Sequence, residues 1–393
     1  MIEIKDKSQC SGCSACYAVC PKKCIDMKAD NEGYLYPQVN TVVCNNCNLC
    51  EKICPISKPI EIRDFETLAF AAQIKDKKIR LESASGGLFT AIAYSVLEKH
   101  GVVFGACYDE NFMVEHNYAS TKEELSKFRS SKYVQSDMKD IFSKAKQFLD
   151  ENKLVLFAGT PCQMNGFRSF LRKKYDNLIL LDFVCRGTPS PKILKKYLQH
   201  NEFLAKSKLN YVSFRDKRYG YAGSTMALGF ENGKKLYSGR DLQFFKHTFF
   251  EDLNSRPSCF KCHFKTIKRE ADITLFDCWH VNEFDKSMDD DKGTTMVLLH
   301  SEKGNSVFEE IKATLKYCPA NVEKAIKLDG IMVENSTIPN THREDFFNDI
   351  DKLEVPQLIE KYFPLSMKKR LVFLFKPMLY KIGLLSLLKR FLN

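Results

Sequence analysis

Residues 10 to 54 carry eight cysteines in two copies of one spacing, and this doubled run limits the chain more than any other feature. The first copy is Cys10, Cys13, Cys16 and Cys20, followed by Pro21; the second is Cys44, Cys47, Cys50 and Cys54, followed by Pro55. Each reads C-x2-C-x2-C-x3-C-P. In bacterial iron–sulfur runs of this form, three thiolates of one copy and the last of the other hold each cluster. Two 4Fe–4S clusters are therefore expected, one on Cys10, Cys13, Cys16 and Cys54, the other on Cys44, Cys47, Cys50 and Cys20. Turns every three residues bring three sulfurs to one side of a cubane, and the fourth ligand has to cross over. Proline after the crossing ligand fixes φ and stops a helix. Zinc would want two CxxC pairs, and neither zinc nor a disulfide framework accounts for two runs of four with a proline after each.

Sixteen cysteines without an apolar leader point to a reducing cytoplasm. The net charge of +11 is unevenly spread. Residues 361–393 hold eight Lys or Arg and no acid, leaving +3 for the other 360 residues. The basic balance thus belongs to the tail and does not describe a nucleic-acid-binding body.

The expected fold class is α+β/α/β: a small ferredoxin-like two-cluster domain, then an α/β core with a mostly parallel sheet, then a C-terminal helical tail. Residues 1–58 form the cluster unit, with a short hairpin at Gly33 to Pro37, and 56–66 read as a linker. Residues 67–150 and 151–330 are the two parts of the core, and 331–393 the basic amphipathic tail. A helix should follow Ser83-Ala84-Ser85-Gly86-Gly87 and stop before Gly101. Val102 to Cys107 reads as a buried strand with Val114 to Tyr118 as partner. Two strand–loop–helix units follow, Leu154 to Ala158 before Thr160-Pro161-Cys162 and Leu178 to Phe183 before Cys185-Arg186-Gly187. This βαβ patterning implies neighbouring parallel strands, whose carboxyl ends are where sites gather. A hairpin at Asn232-Gly233 and a strand at Ile273 to Phe276 complete the core.

Eight cysteines remain after the doubled run. Cys162 and Cys185 lie at adjacent strand ends, and Cys259 and Cys262 form a CxxC. The four suffice for a third 4Fe–4S cluster. Scattered ligands are also compatible with buried free thiols, a zinc site or a redox-active dithiol. Cys259-x-x-Cys262-His263 matches a haem-attachment run as well, which the lack of an export signal disfavours. Cys24, Cys107, Cys278 and Cys318 are expected to be mostly buried thiols.

An ordered set of short motifs runs through the core: Ser85-Gly86-Gly87, Ser131-Lys132-Tyr133-Val134-Gln135-Ser136, Thr160-Pro161-Cys162-Gln163, Cys185-Arg186-Gly187-Thr188-Pro189-Ser190, Arg256-Pro257-Ser258-Cys259 and Ala271-Asp272-Ile273-Thr274. As a set these resemble the family of coenzyme F-420 hydrogenase/dehydrogenase beta subunits from about residue 67 to 300. The resemblance implies an FAD with a 4Fe–4S cluster close to it, and assigns that third cluster to Cys162, Cys185, Cys259 and Cys262. One departure stands out. Where members often carry Gly-Asp-x-Trp-Gly, this chain has Phe276-Asp277-Cys278-Trp279-His280, which bears on the substrate and not on the cluster ligands.

No G-x-G-x-x-G and no Walker A sequence is present. Ser83, Ser85, Gly86 and Gly87 open a helix whose free N–H groups could cradle a flavin phosphate; an ordinary N-cap would use the same residues. Ser131, Lys132, Tyr133 and Gln135, with Arg129 and Ser130, could hold a diphosphate, or form a solvated basic loop. Thr160 and Thr188 offer hydroxyls beside the third cluster. Asp277 and His280 are candidates for proton transfer, with His280 equally suited to a hydrogen-bonded core position and Trp279 to core packing.

In the tail, Tyr380, Gly383, Leu384, Leu387, Leu388 and Phe391 share one helical face, with Lys381, Lys389 and Arg390 on the other side. Such a helix fits an anionic membrane surface at the inner face, or docks on protein. The expected function is an iron–sulfur flavoprotein oxidoreductase, exchanging electrons with ferredoxin or another redox protein. Its FAD would exchange hydride with a deazaflavin or small organic substrate. A surface-polysaccharide role is one setting in which relatives occur. The alternative is a non-catalytic 4Fe–4S electron-transfer subunit of a larger redox complex.

Overall fold

The apolar runs of the core alternate, residue by residue, between two buried faces of one sheet. Val155 and Phe157 enter one cluster and Leu156 and Ala158 the other; Leu178 and Leu180 separate from Ile179 and Leu181 in the same way. Period-two alternation with both faces apolar requires helices on both sides. A computed structural model describes residues 1–58, 64–364 and Met378. In chain order the N-terminal unit has α1 (Ala15–Val19), β1 (Ile25–Ala29), β2 (Leu35–Val39) and α2 (Leu49–Lys52). The core begins with β3 (Leu68–Ile74), α3 (Lys77–Glu82), α4 (Leu88–Glu98), β4 (Val102–Tyr108), β5 (Val114–Ala119) and α5 (Ile141–Asp150). It continues with β6 (Val155–Gly159), α6 (Pro161–Leu171), β7 (Leu178–Phe183), α7 (Pro191–Ala205), β8 (Leu209–Asp216), β9 (Thr225–Phe230), β10 (Lys235–Leu236) and α8 (Arg240–Phe250). The last described elements are β11 (Ile273–Asp277), β12 (Thr295–Leu299), α9 (Glu302–Ile311), β13 (Leu315–Ala320), α10 (Val322–Leu328), α11 (Arg343–Asp349) and α12 (Val355–Tyr362).

The main sheet has the order β13-β3-β12-β11-β7-β6-β4-β5. Its four central strands, β11, β7, β6 and β4, are parallel. Both flanks are antiparallel. The mostly parallel sheet expected from the sequence is thus a parallel centre with antiparallel flanks. The reason at one flank is local, since only five residues join β4 to β5, enough for a hairpin and too few for a crossover. Residues of α4 and α9 cover one face and those of α5 and α6 the other. A smaller sheet, β10-β9-β8, packs with α7 and α8.

Residues 331–363, assigned to the tail by sequence, belong largely to this second body. Phe346, Ile350, Val355, Leu358 and Ile359 are buried there against α7 and α8. Each such side chain contributes about 1.5–3 kcal/mol on burial, which outweighs the charge pattern that suggested a separate tail. The amphipathic segment 371–392 lies outside the described residues except for Met378. No helix among the described residues is long and apolar enough to cross a membrane.

Two positions expose the fold to direct test. Gly86 closes onto the ends of β3 and β12; a Cβ there would lie 2.4 Å from the Ala72 carbonyl oxygen and 2.7 Å from the Thr295 nitrogen. Backbone atoms of two paired strands cannot step aside, so Gly86→Ala should cost about 1–3 kcal/mol, read as a lowered thermal midpoint. His116, on β5, is buried, its Nδ1 beside the Ser136 hydroxyl and its Nε2 3.1 Å from the Ala158 carbonyl oxygen. A neutral ring fits both, with Nε2–H donating. Burial pushes its pKa down to about 4. The unfolded chain therefore binds the extra proton first, and stability falls as pH drops from about 6.5 toward 4. At pH 5.5 the penalty should be about 1.4 kcal/mol; the loss between pH 7 and 5.5 should shrink in His116→Gln.

Candidate functional site

The two cysteine runs repeat in backbone as well as in sequence. Gly12 and Asn46, one residue before the second cysteine of each run, have φ of +71° and +55°. Ser14 and Asn48, one residue after it, have φ of +63° and +56°, and each caps a short helix, α1 and α2. Glycine and asparagine take this left-handed region most cheaply.

Cys10, Cys13, Cys16 and Cys54 lie close to one another. Burial, with the charges of Cys10 and Cys54 adding to it, pushes Cys13 up to about 12. Cys16 rises for the same first reason, then through Cys13, Cys10 and Cys54. The crossing cysteine therefore lies with the other three. In the second region Cys20, Cys44 and Cys50 pack together with Cys24, while Cys47 is exposed. Cys24 is buried as expected, yet its sulfur sits 3.4 Å from that of Cys20, against the second ligand set. Nothing in the C-x2-C-x2-C-x3-C-P spacing marks it.

Cys162, Cys185, Cys259 and Cys262 converge from three separate parts of the chain. Cys162 stands in the first turn of α6, Cys185 just beyond β7, and the CxxC in a short helical turn and its cap. Together they line one small basin. Burial, then the charges of Cys262, Cys185 and Cys259, pushes Cys162 well above the usual thiol range. Cys185 rises to about 12 for like reasons. Four half-buried thiols that repel one another when ionised require positive charge among them, and this donor set suits iron.

Cations are close at hand. Arg269 is neutralised by Asp182 at 3.4 Å and Arg186 by Asp252 at 2.6 Å. Lys265 donates to the carbonyl oxygens of Cys185 and Met332, and Arg256 is fully buried. Neither Lys265 nor Arg256 has a carboxylate partner among the described residues. An unpaired buried guanidinium is costly, so its setting itself asks for an anion.

The basin opens toward a cavity of about 450 Å³ at the carboxyl ends of the central strands, a size typical of cofactor sites. Cys162, Cys185, Thr160 and Thr188 line both the cavity and, save Thr160, the basin. Thr160 Oγ1 lies 3.2 Å from the Cys162 sulfur. Ser11 lines both spaces, and its hydroxyl is buried without a partner among the described residues. The ligand loop of the first set therefore touches both.

Of the residues proposed for cofactor binding, Ser83, Ser85, Gly87, Ser131, Lys132, Tyr133 and Gln135 do line the cavity, as does Asp277. Ser83 spends its hydroxyl on the Ile79 carbonyl, and Ser85 pairs with Thr295 at 2.7 Å. Gly86 is not on the wall, and its N–H donates to Thr295 Oγ1, so its role is strand packing. Gln135 accepts from the Leu35 N–H at 2.9 Å, tying the cavity to the N-terminal unit. Burial pushes the Lys132 ammonium down to about 8; it caps the Arg129 and Ser130 carbonyls. Ser130 Oγ and Arg129 Nε are buried without partners among the described residues, leaving donors for an anionic ligand.

His280 does not reach this wall. Its ring is half-exposed and its Nδ1 lies 2.7 Å from Asp329, because the chain turns outward after β11. Trp279 is not core packing either: it is 37% exposed, lines the cavity, and stacks on Tyr221 with centroids 4.1 Å apart. The residue that sequence reasoning missed is Arg215, at the end of β8. It forms a two-pronged pair with Asp277 (2.7 and 3.1 Å), bonds Tyr133 OH at 3.1 Å, and sits 4.8 Å from the Trp279 ring centroid. Tyr221 OH donates to the same Asp277 at 2.8 Å. No motif surrounds Arg215, so only tertiary structure discloses it.

The chain matches the family described as coenzyme F420 hydrogenase/dehydrogenase, beta subunit, in two parts, the N-terminal model over residues 69–143 and the C-terminal one over 152–324. A 4Fe-4S dicluster domain matches residues 9–57. A subunit of the F(420)H(2) dehydrogenase of Methanosarcina mazei is 25% identical over 194 residues, 46% of this chain and 53% of that protein. A coenzyme F420-dependent sulfite reductase of Methanocaldococcus jannaschii is 29% identical over 174 residues, 42% of this chain and 26% of that protein. The chain thus spans about half the length of the first of these relatives and about a quarter of the second. A solved chain of the F420-reducing [NiFe] hydrogenase complex from Methanosarcina barkeri aligns over 76% of this chain and 93% of its own, at 18% identity and a TM-score of 0.43. With a 4Fe–4S-binding unit in front and both parts of the core matched, the chain belongs to the redox-protein family of coenzyme F420 hydrogenase/dehydrogenase beta subunits.

Proposed function

We propose that this chain is a 4Fe–4S electron-transfer subunit of a larger redox complex, relaying single electrons between a redox protein at its surface and the cavity. The convergence of Cys162, Cys185, Cys259 and Cys262 beside the first ligand set is the observation that carries this reading. Cys10, Cys13, Cys16 and Cys54 would hold one cluster, Cys20, Cys44, Cys47 and Cys50 a second, and the convergent four a third. Clusters supply reversible one-electron transfer when bound. The chain's part is to fix their spacing, exclude water, and supply compensating charge. The exposed Cys47 makes the second set the natural contact for ferredoxin or another redox partner.

The cavity favours a second reading, in which the same chain also binds FAD and acts as an oxidoreductase on a deazaflavin or small organic substrate. A flavin supplies the exchange of a hydride for two single electrons when bound. Arg129, Ser130, Ser131 and Lys132 would hold its diphosphate, and Trp279 and Phe250 would flank a ring. Asp277 has both oxygens engaged by Arg215 and one by Tyr221. In this reading it holds Arg215 toward the cavity and is not the proton carrier.

Iron, sulfide and flavin per chain, measured after anaerobic purification, test both readings. About twelve irons are expected for three cubane clusters. Cys162→Ser should lose about four of them while the doubled run keeps its own. About eight irons in the unaltered chain would remove the third site. Absence of flavin would remove the second reading and leave the first.

A further inference from the structure

Among the described residues, Arg256 is the one arginine with no exposed surface, and it stands between two thiol sets. Its backbone precedes the CxxC: its N–H donates to the Thr188 carbonyl at 3.0 Å, and its carbonyl accepts from the Cys259 N–H at 2.9 Å. Its side chain reaches the other way. Nε donates to the Cys10 carbonyl at 2.7 Å, and Nη2 lies 3.5 Å from the Cys10 sulfur. The Tyr36 ring covers the guanidinium, its centroid 3.9 Å away. Nη1 finds no partner among the described residues. A Cβ on Gly12 would fall 2.9 Å from Nη1, so the loop between Cys10 and Cys13 is cut to the shape of this side chain.

Resting on the cluster assignment above, we infer that Arg256 is a positioning residue that raises the reduction potential of the cluster on Cys10, Cys13, Cys16 and Cys54. Reduction adds one negative charge to a centre that is already anionic. A fixed cation at hydrogen-bond range of a ligand sulfur, shielded from water, stabilises that added charge. Guanidinium cannot lose its proton, so the effect holds at every working pH. Among the described residues no arginine or lysine side chain is in hydrogen-bond contact with a sulfur of the second set, and Lys22 and Lys23, beside Cys20, are exposed to solvent, where their field is screened. Arg256 thereby sets a downhill order. An electron arriving at the second ligand set would then pass to the first, beside the cavity, with no bond or proton moving.

The test is a dithionite titration of the full, cluster-loaded chain followed by electron paramagnetic resonance, with Arg256→Met and Arg256→Lys beside the unaltered protein. Arg256→Met should shift the first cluster's reduction equilibrium at least tenfold toward the oxidised form, about 59 mV for a one-electron couple, and leave the second cluster's wave in place. Arg256→Lys, which keeps the charge, should recover most of the shift. No moved wave in Arg256→Met, equal movement of every wave, or equal shifts in the Met and Lys variants would each overturn the inference. If Arg256→Met loses the first cluster's iron, retention of iron and wave by Arg256→Lys supports the charge role, and loss in both refutes it. An unaltered chain lacking cluster signals would instead defeat the cluster assignment itself.

Discussion

Negative charge in a dry place is the constraint that the rest of this structure answers to. The doubled run and the convergent four bring many thiols into two adjoining buried regions. Burial pushes Cys13, Cys16, Cys162 and Cys185 toward the protonated form, and repulsion from neighbouring thiolates adds to it. Holding them ionised requires positive charge placed where water is not. The fold supplies it as backbone N–H groups in tight turns and as two cations without carboxylate partners among the described residues, Lys265 and Arg256. Other buried arginines carry carboxylate partners, Arg269 beside the basin with Asp182 and Arg215 on the cavity with Asp277. The contrast separates arginines that brace the scaffold from the cations reserved for the clusters.

Features written in a short stretch of chain were legible in the sequence. The doubled cysteine run marks the unit that the 4Fe-4S dicluster match covers, and the sheet centre followed from two apolar runs ending in Cys162 and Cys185. The helix after Gly87 starts and stops where its glycines imply, at Leu88–Glu98. Features that depend on distant segments meeting were not legible. Arg215 comes from a different sheet than Asp277, and Cys24 lies outside the repeat it adjoins. Gly86 was noticed for its freedom near a phosphate, whereas its real constraint is the approach of β3 and β12. His280 and Trp279 were exchanged in role: an outward turn after β11 takes the histidine to Asp329 and leaves the tryptophan on the cavity wall. Residues 331–363 carry charges that suggested a tail, but their few apolar side chains decide their place.

Electron transfer falls off steeply with distance, so a relay built from two structural units works only if their joint is rigid. The joint here is made of close fits and buried polar contacts. Gly166 on α6 leaves no room for a Cβ, which would lie 2.9 Å from the Cys13 sulfur. The helix that carries Cys162 is thus pressed directly against a ligand of the first set. Gln135 and Arg343 grip the hairpin loop and its strand, through the Leu35 N–H and the Glu32 carboxylate. Ser190 and Lys192 at the start of α7 bind carbonyls of the same loop. Most of these anchors come from loops at the carboxyl ends of the parallel strands or from the helices that follow them. The edge of the sheet that makes the cavity also fixes the N-terminal unit, so the cysteine-rich module and the cavity share one set of anchors.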